Sequence, residues 1–220
     1  MKKYRYKTLK STNETAREIL EENAIIIADE QTAGKGRMGK SFFSPEGGIY
    51  MSVILKLDFS DSVYLSAAAA VSVCRAIKNL TGLSPKIKWI NDIYLDEKKV
   101  GGILIEGVSS YVVVGIGLNL KPQEFPADIN AASLEVDIER ELLIDEIISQ
   151  LFSVSKEKNF IEEYKKLSDI LGEKIIVYDK NEEYTAYVTD ISDIGELIIQ
   201  KGDRSQILNS TNITIKKVKQ

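Results

Sequence analysis

The pattern of apolar and polar residues along the chain predicts a mixed α+β protein. Strands are indicated where short apolar runs are bounded by turns, or where apolar and polar residues alternate. The run Ile49–Leu57 alternates cleanly, which predicts a strand with its apolar residues on one face. Seven strands are predicted in the first part of the chain: Tyr4–Leu9, Ile25–Ala28, Ile49–Leu57, Lys86–Trp89, Ile93–Leu95, Val100–Glu106 and Tyr111–Ile116.

Helices are predicted from apolar spacing and from signals at their ends. The first begins at Ser11, which as N-cap forms a capping box with Glu14. Ser11, Thr12 and Asn13 either cap this helix or use its exposed end to bind a polar ligand, and local sequence leaves both possibilities open. Further helices are predicted over Val63–Leu80, Arg140–Phe152 and Phe160–Leu171, the last closed by Gly172.

From Glu173 onward the chain consists of short strand-like runs separated by polar or glycine-containing turns. This spacing is typical of a small β-barrel of SH3-like type. We therefore predict two domains, residues 1–171 and residues 172–220. The predicted strands are Lys174–Tyr178, Tyr184–Ile191, Glu196–Gln200, Ser205–Leu208 and Ile213–Val218.

The composition narrows the available chemistry. The 220 residues include no histidine and one cysteine, Cys74, which excludes Ser-His-Asp and Cys-His catalysis and the usual zinc sites. A net charge of −4 argues against a general nucleic-acid binder. No apolar stretch reaches the roughly 18 residues of a membrane span, and the amino terminus lacks the core of a signal peptide, so we expect a cytoplasmic protein without membrane contact.

The segment Ala33–Lys40, which we call the glycine loop, carries three glycines and three cations. Such a loop suits phosphate or carboxylate binding, because glycine allows close approach to backbone amides and the cations add charge. Residues Gly34–Ser41 also match the phosphate-loop pattern of nucleotide triphosphatases, which requires a helix opening at its Lys-Ser. Pro45 and the following glycine pair disfavour that helix, so we reject this interpretation.

Two further clusters carry candidate chemistry. Asn91 and Asp92 lie at the end of the predicted strand Lys86–Trp89, where they either form an Asx turn or hold a metal-bound nucleotide. Lys99 precedes Gly101 and Gly102, and paired glycines weaken a strand unless something lies against its backbone. A ligand there, with Lys99 reaching its carboxylate or phosphate, would explain the arrangement.

These motifs occur together in the order found in biotin–protein ligases, and the sequence strongly resembles that family. The resemblance spans the whole chain. It implies a class II synthetase-like catalytic domain, with a mixed sheet flanked by helices in the biotin/lipoyl ligase fold, followed by the small barrel. The motifs that carry it are Ser11-Thr12-Asn13, Gln31, AGKGRMGK, KWINDIY, KVGGILIE and GIGLN.

The resemblance implies that biotin and ATP form biotinyl-AMP and pyrophosphate with Mg²⁺, and that biotin then passes to a lysine of a biotin carboxyl carrier domain. Arg37, Lys99, Asp92 and Lys35 would be catalytic, and Asp92 would also hold Mg²⁺. The implied biotin-binding residues are Ser11, Thr12, Asn13, Gln31, Gly34, Lys35, Gly36, Arg37, Lys99, Gly101 and Gly102. The implied ATP- and adenylate-binding residues are Arg37, Met38, Gly39, Lys40, Phe42, Asn91, Asp92, Lys99 and Asn119.

The sequence departs from the family pattern in a few places. Lys35 stands where the family usually has Arg, Met38 and Lys40 make the loop less Arg-rich, and Ile90 replaces the usual Pro. The chain lacks the amino-terminal helix-turn-helix of repressor members, so we expect no DNA binding, and relatives suggest a homodimer. Two rival functions remain: a lipoate–protein ligase of the same fold, and a nucleic-acid-binding module built on the small barrel.

Overall fold

The larger part of the molecule is built on a seven-stranded mixed sheet. The structure is a computed structural model that describes residues 1–57, 62–121, 124–127, 129–157, 159–179, 182–208 and 213–218. The strands are β1 (Lys3–Leu9), β2 (Ile25–Gln31), β3 (Ile49–Leu55), β4 (Lys86–Lys88), β5 (Asp92–Leu95), β6 (Lys98–Val108) and β7 (Tyr111–Leu118).

The order of strands in this sheet is β1-β2-β3-β7-β6-β5-β4. Strand β1 pairs in parallel with β2, and the other neighbours pair antiparallel. The predicted mixed α+β architecture is therefore confirmed. Because β6 and β7 lie side by side, Gly102 pairs with Gly117 at the centre of the sheet.

Helices cover both faces of the sheet. Helices α2, α3 and α4 share the main hydrophobic core with one face, whereas α1 packs on the opposite face through a smaller core that includes Ala16, Ile26, Ile54 and Val113. None of the described helices is both long and apolar enough to cross a bilayer. The helices are α1 (Thr12–Ile19), α2 (Ser62–Thr81), α3 (Arg140–Val154) and α4 (Phe160–Leu167).

Strand β3 departs from the alternating pattern predicted for Ile49–Leu57. It ends at Leu55, and all seven of its residues are buried. The physical reason is its position inside the sheet, where α1 covers the face that alternation would leave to water. The strand therefore buries a polar residue, Ser52, which is fully inaccessible.

Two helix ends also differ from the prediction. Ser11 precedes the first helix, but its side chain makes no capping hydrogen bond, so the predicted capping box is wrong. Glu14 instead pairs with Lys35 across 2.5 Å, because the glycine loop brings a cation to this end of α1. Helix α4 stops at Leu167 rather than Leu171, since Ser168 is extended and bridges to Ile87.

The carboxyl-terminal strands form a second, antiparallel sheet in the order β11-β10-β9-β8-β12. Within the described residues no ladder joins β11 to β12, so the predicted barrel is an SH3-like sheet that is not closed. Its buried side chains join the main core instead of enclosing a core of their own. The division at residues 171 and 172 stays a prediction. The strands are β8 (Lys174–Asp179), β9 (Glu182–Ile191), β10 (Leu197–Lys201), β11 (Arg204–Leu208) and β12 (Thr214–Lys217).

Candidate active site

A cavity of about 240 Å³ opens where the start of α1, the glycine loop, the centre of the main sheet and the start of β12 meet. Many of the candidate residues from the sequence lie in its wall. Those brought together are Ser11, Thr12, Asn13, Gln31, Lys35, Gly36, Arg37, Met38, Lys40, Phe42, Asn91, Asp92, Lys99 and Gly102.

One side of the cavity is lined by buried Ser11, Thr12 and Asn13 and by half-buried Gln31, and buried Ser52 contacts them from behind the wall. We call these five uncharged residues the polar cluster. Gln31 Oε1 accepts a hydrogen bond from the Thr12 backbone N–H at 2.8 Å and lies 3.2 Å from Thr12 Oγ1. Ser52 Oγ lies 2.8 Å from Thr12 Oγ1 and 2.6 Å from Asn13 Oδ1. Because Ser11 is buried and does not cap the helix, its hydroxyl is free of that role.

Gln31 extends this cluster toward the glycine loop. Its Nε2 donates to Ser44 Oγ at 3.0 Å, and Ser44 Oγ donates to the Phe42 carbonyl at 2.8 Å. Gly34 is packed against the same groups, because a Cβ there would lie 2.4 Å from the Phe42 carbonyl oxygen. The start of the glycine loop, at Gly34, is thus packed against the groups that Gln31 contacts.

Glycines make the floor of the cavity. A Cβ on Gly115 would lie 2.2 Å from Asn13 Oδ1, and one on Gly117 would lie 2.6 Å from the Phe42 ring. These two residues are about 7 Å apart along β7, since a strand rises about 3.4 Å per residue. Only glycine leaves room for Asn13 and Phe42 to lie against the strand in this way.

Five cations in the cavity wall, which we call the cationic cluster, face the other side: Lys35, Arg37, Lys40, Lys88 and Lys99. Lys99 Nζ lies 2.6 Å from Asp92 Oδ1 and 5.8 Å from the centre of the Phe42 ring. Arg37 donates to Asn91 Oδ1 at 3.2 Å. Burial lowers the pKa of the Arg37 guanidinium, opposed by the nearby charge of Asp92. A partly desolvated cation of this kind attracts an anion more strongly than an exposed one.

The segment with Asn91 and Asp92 is anchored from behind. Trp89 Nε1 donates to the Gly195 carbonyl at 2.9 Å, and Tyr164 donates to the Ile90 carbonyl at 3.0 Å. Tyr164 is fully buried, which raises the pKa of its hydroxyl. The peptide between Trp89 and Ile90 is cis. Asn91 Nδ2 donates to the Ile103 carbonyl at 2.6 Å, so its Oδ1 is directed to Arg37.

The second sheet also reaches the cavity. Ile213, Thr214 and Ile215 contribute to its wall, and Thr214 Oγ1 lies 3.8 Å from the sulfur of Met38. Met38 is 55% exposed and has a φ of 55°, a left-handed conformation at the centre of a short 3₁₀ turn. The glycine loop therefore lies between the main sheet and β12.

Four predicted site residues lie outside the described cavity wall: Gly34, Gly39, Gly101 and Asn119. Gly101 is buried within β6, where a Cβ would lie 2.8 Å from the Gly117 carbonyl oxygen. Asn119 is buried and donates to the Ala132 carbonyl at 3.0 Å, while its Oδ1 has no partner among the described residues. The roles assigned to all site residues stay predictions.

Residue-by-residue interpretation of the sequence missed several contributors to the site. Ser52 had a detectable signal, because it is a polar residue within an apolar strand. Gly115 and Gly117, two positions apart on one face of a strand, repeat the paired-glycine argument made for β6. Lys88 was named only as the first residue of the KWINDIY motif, without a role. Ile213 and Thr214 had no comparable signal, since only the tertiary fold brings them to the cavity.

The geometry of the segment after the glycine loop confirms that the phosphate-loop interpretation was rightly rejected. Residues 40–48 contain no helix, and Lys35 bridges to Ser41 while Gln31 bridges to Ser44. The described residues contain no group of three or more Asp, Glu, Cys or His side chains suited to hold a metal ion. Asp92 is the one carboxylate of the described cavity wall.

Comparison with known proteins agrees with this geometry. The model of the biotin/lipoate A/B protein ligase family matches residues 6–121. The chain belongs to this family. The match covers more than half of the 220 residues and includes every element that contributes to the polar cluster and, apart from β12, to the described cavity wall.

Among curated relatives, the bifunctional ligase/repressor BirA of Bacillus subtilis is 39% identical over 135 residues, which is 55% of this chain and 42% of that protein. The chain thus spans less than half of that relative's length. The biotin–[acetyl-CoA-carboxylase] ligase of Mycobacterium tuberculosis is 25% identical over 210 residues, covering 87% of this chain and 79% of that protein.

Among solved structures, biotin protein ligase from Aquifex aeolicus in complex with biotin and ATP superposes with a TM-score of 0.88 at 25% identity, covering 99% of both chains. A biotin protein ligase from Leishmania major in complex with biotinyl-5-AMP has a TM-score of 0.69 at 22% identity. The main domain and the second sheet are therefore those of the biotin protein ligase fold.

Proposed function

We propose that the protein is a biotin–protein ligase: it activates biotin with ATP to biotinyl-5′-AMP, then transfers biotin to a lysine of a biotin carboxyl carrier domain. One observation carries this proposal. A single cavity holds a largely buried, uncharged hydrogen-bonding cluster, whose Asn13 lies against Gly115, together with a cluster of cations, of which Lys99 lies 5.8 Å from the Phe42 ring. Biotin has a neutral ureido head and an anionic carboxylate tail, and ATP is an anion, so the two sides suit the two substrates. The Aquifex relative bound to biotin and ATP supports this choice.

In the first step a carboxylate oxygen of biotin attacks the α-phosphorus of ATP, and the bond to the bridging oxygen breaks as pyrophosphate leaves. Two anions must meet, so fixed cations offset their repulsion and stabilise the charge that develops. Lys99 and Arg37 have the required position and charge, held by Asp92 and Asn91 respectively. Lys35 adds charge from the more exposed side of the loop.

Magnesium fits this site as an ion carried mainly by the nucleotide. Mg²⁺ prefers oxygen ligands and is commonly held by one or two carboxylates together with substrate phosphates. Asp92 is the carboxylate that would hold it, and the Asn91 amide is its neighbour. When bound, the ion would neutralise phosphate charge.

The base of the nucleotide is proposed to lie near Phe42 and Asn119. Phe42 lies in the cavity wall against Gly117, where its ring can cover an adenine. Asn119 Oδ1 lacks a donor among the described residues, and the adenine amino group would supply one. A buried acceptor left without a donor costs roughly 1–3 kcal/mol, so this contact would favour binding.

In the second step a neutral lysine amine of the carrier domain attacks the acyl carbon, and AMP leaves with the electron pair of the mixed anhydride. Holding the two groups together can supply roughly 7–11 kcal/mol of the barrier, and excluding water protects the adenylate. The glycine loop and the start of β12 both border the cavity, and the contact of Thr214 Oγ1 with the Met38 sulfur at 3.8 Å supports a role for them in excluding water.

The proposal also includes a homodimer in the cytoplasm, where ATP and a carrier domain would be present. The main sheet has two edge strands, β1 and β4; because Ser168 already bridges to Ile87 in β4, β1 is the edge proposed for association. Sedimentation of the full chain over a range of concentrations, with and without biotin and ATP, would measure the association. A chain that sediments as a monomer throughout would exclude the dimer and leave the enzymatic proposal intact.

The decisive experiment is exchange of labelled pyrophosphate into ATP, measured with biotin, lipoate and octanoate in parallel and with Mg²⁺ present. We expect exchange with biotin only, followed by transfer to a biotin carboxyl carrier domain. Exchange with lipoate instead would favour a lipoate–protein ligase. Folded protein that gives no exchange with any of the three acids would refute the proposed activity.

A further inference from the structure

Glu106 lies outside the cavity wall, yet it contacts the polar cluster directly. Its Oε2 accepts a hydrogen bond from Asn13 Nδ2 at 2.8 Å, and its Oε1 lies 3.5 Å from Arg17 Nη1. The side chain is partly buried, with 26% exposed. None of the motif roles assigned above uses this carboxylate.

The contacts of Glu106 determine which way the Asn13 amide points. An ionised carboxylate and a backbone carbonyl can only accept hydrogen bonds, and the Leu104 carbonyl lies on the same side at 3.4 Å. The amide NH₂ must therefore face these two acceptors. Asn13 Oδ1 consequently faces Ser52 Oγ, 2.6 Å away.

This orientation fixes the direction of the remaining hydrogen bonds. Asn13 Oδ1 can only accept, so the single hydroxyl proton of Ser52 must be donated to it. Ser52 Oγ is then left to accept from the Thr12 hydroxyl at 2.8 Å, which is the shorter of the two contacts of that hydroxyl, the other being Gln31 Oε1 at 3.2 Å. Ser52 is fully buried, so no water is available to reverse the order.

The proton of Thr12 is thereby used inside the protein, and Thr12, which lines the cavity, keeps lone pairs on Oγ1 that can accept a hydrogen bond. Its backbone N–H is also committed, to Gln31 Oε1 at 2.8 Å. A cavity surface of this kind accepts hydrogen bonds and suits a ligand group that donates N–H. A ureido group has two N–H donors, whereas a plain acyl chain has none.

We propose that Glu106 is a positioning residue that orients the chain of hydrogen bonds through Asn13, Ser52 and Thr12, so that the cavity accepts an N–H of the bound ligand. This inference rests on the proposed function and deepens it, since it names the group that sets selectivity for the ureido head. The reach of Asn13 depends on Gly115, whose missing Cβ leaves space for the Asn13 amide.

The test compares wild type with Glu106→Gln, a variant of equal size whose amide can donate as well as accept. Arg17→Gln is the matched control, because it removes the ion pair and leaves the Glu106–Asn13 bond in place. The ligands are biotin and the two cyclic carbamate analogues in which one ureido N–H is replaced by oxygen. Dissociation constants are measured by calorimetry, and ATP binding and thermal unfolding report on the fold.

We expect Glu106→Gln to weaken biotin binding roughly tenfold, with ATP binding unchanged and kcat at saturating biotin within about twofold. One of the carbamates should bind wild type weakly and lose little more in the variant, because the N–H that Thr12 accepts is already absent. Arg17→Gln should bind biotin within about twofold of wild type.

Several outcomes would overturn the inference. One is biotin affinity in Glu106→Gln within twofold of wild type; another is an equal loss for biotin and for both carbamates. If Glu106→Gln does not fold, Ser52→Ala replaces it, since it interrupts the same chain and should show the same ligand pattern. Wild type that binds no biotin would refute the proposed function itself, and this result is distinct from the others.

Discussion

The polar cluster and the cationic cluster share one cavity, but they are built in opposite ways. In the polar cluster, Ser11, Thr12 and Asn13 are at most 4% exposed, and hydrogen bonds within the protein order its side chains. In the cationic cluster, the Lys35 side chain is 45% exposed and pairs with Glu14. The first is an organised surface before any ligand arrives, whereas the second must exchange its internal partners for those of the ligand.

This difference explains how one cavity can bind two substrates through independent sets of contacts. A buried network leaves little freedom, so it can reject a ligand that lacks the matching donors. Cations on a glycine-rich loop can move with the loop, and their attraction for an anion becomes strong only when the loop excludes water. Breaking one cluster should therefore leave the other able to bind.

The largest loss of ligand affinity is expected for the substitution Gly115→Ala. The new methyl would lie 2.2 Å from Asn13 Oδ1, so Asn13 must leave its position or the strand must shift. Overpacking of this kind costs about 1–3 kcal/mol, and we expect biotin binding to weaken up to roughly 100-fold. Calorimetric titration with biotin and with ATP would measure both affinities, and the affinity for ATP should be nearly unchanged.

Gly102→Ala is the comparison for that variant. Its Cβ would meet Lys99 and Asp92 side-chain atoms at 3.3 and 3.4 Å, contacts that flexible side chains can relieve. We expect a loss of biotin affinity below about tenfold. Equal losses in the two variants would contradict the view that the polar cluster is the rigid side.

The next effect is expected from Arg37→Ala in the cationic cluster. The variant removes a partly buried charge that donates to Asn91, and hydrogen bonds to charged groups contribute about 1.5–3 kcal/mol. Biotinyl-AMP should dissociate roughly 10- to 100-fold faster, while biotin alone binds with little change. Adenylate release measured by stopped flow checks this; retention equal to that of wild type would remove the role of this residue in closing the site.

Salt should separate the two clusters without any substitution. Raising NaCl from about 0.05 M to about 0.5 M shortens the screening length from roughly 14 Å to about 4 Å, which weakens exposed charge interactions. We expect ATP affinity to fall about tenfold and biotin affinity less than about threefold, since biotin carries one charge. If the affinities for the two ligands fell by the same factor with salt, the two clusters would not act separately.

The smallest effect is expected from Lys35→Ala. Lys35 is exposed and forms a surface ion pair with Glu14, and such pairs contribute about 0–1 kcal/mol to stability. The free energy of unfolding should change by less than about 1 kcal/mol, and adenylation should slow only roughly threefold. Denaturant titration and pyrophosphate exchange would measure these two quantities. A rate loss as large as that of Arg37→Ala would give Lys35 a direct part in the chemistry.

Much of this arrangement could be predicted from the chain. Apolar periodicity located the strands and helices to within a few residues, because it follows from which side each element buries. Three groups of site residues could be found because their residue types are unusual for a core or a plain turn. They are the glycine loop, Asn91 with Asp92, and Lys99 with its glycines. Their order matched a known family, which supplied roles that no local pattern contains.

Some features were decided by packing alone. Periodicity could not show that α1 covers the second face of β3, which buries Ser52 beside Thr12 and Asn13. The capping box failed because the glycine loop offered Lys35 to Glu14, a partner 21 positions away in the chain. The terminal strands stayed an open sheet because their apolar residues joined the main core.

The sequence by itself determined the elements, the family and the residue types that meet anions, since these depend on neighbours in the chain. Only the tertiary structure decided which groups share hydrogen bonds, because a hydrogen bond requires atoms within about 3 Å whatever their separation in sequence. The contact of Glu106 with Asn13, 93 positions away, is of this kind. So is the approach of Thr214 to Met38, which brings the second sheet to the cavity.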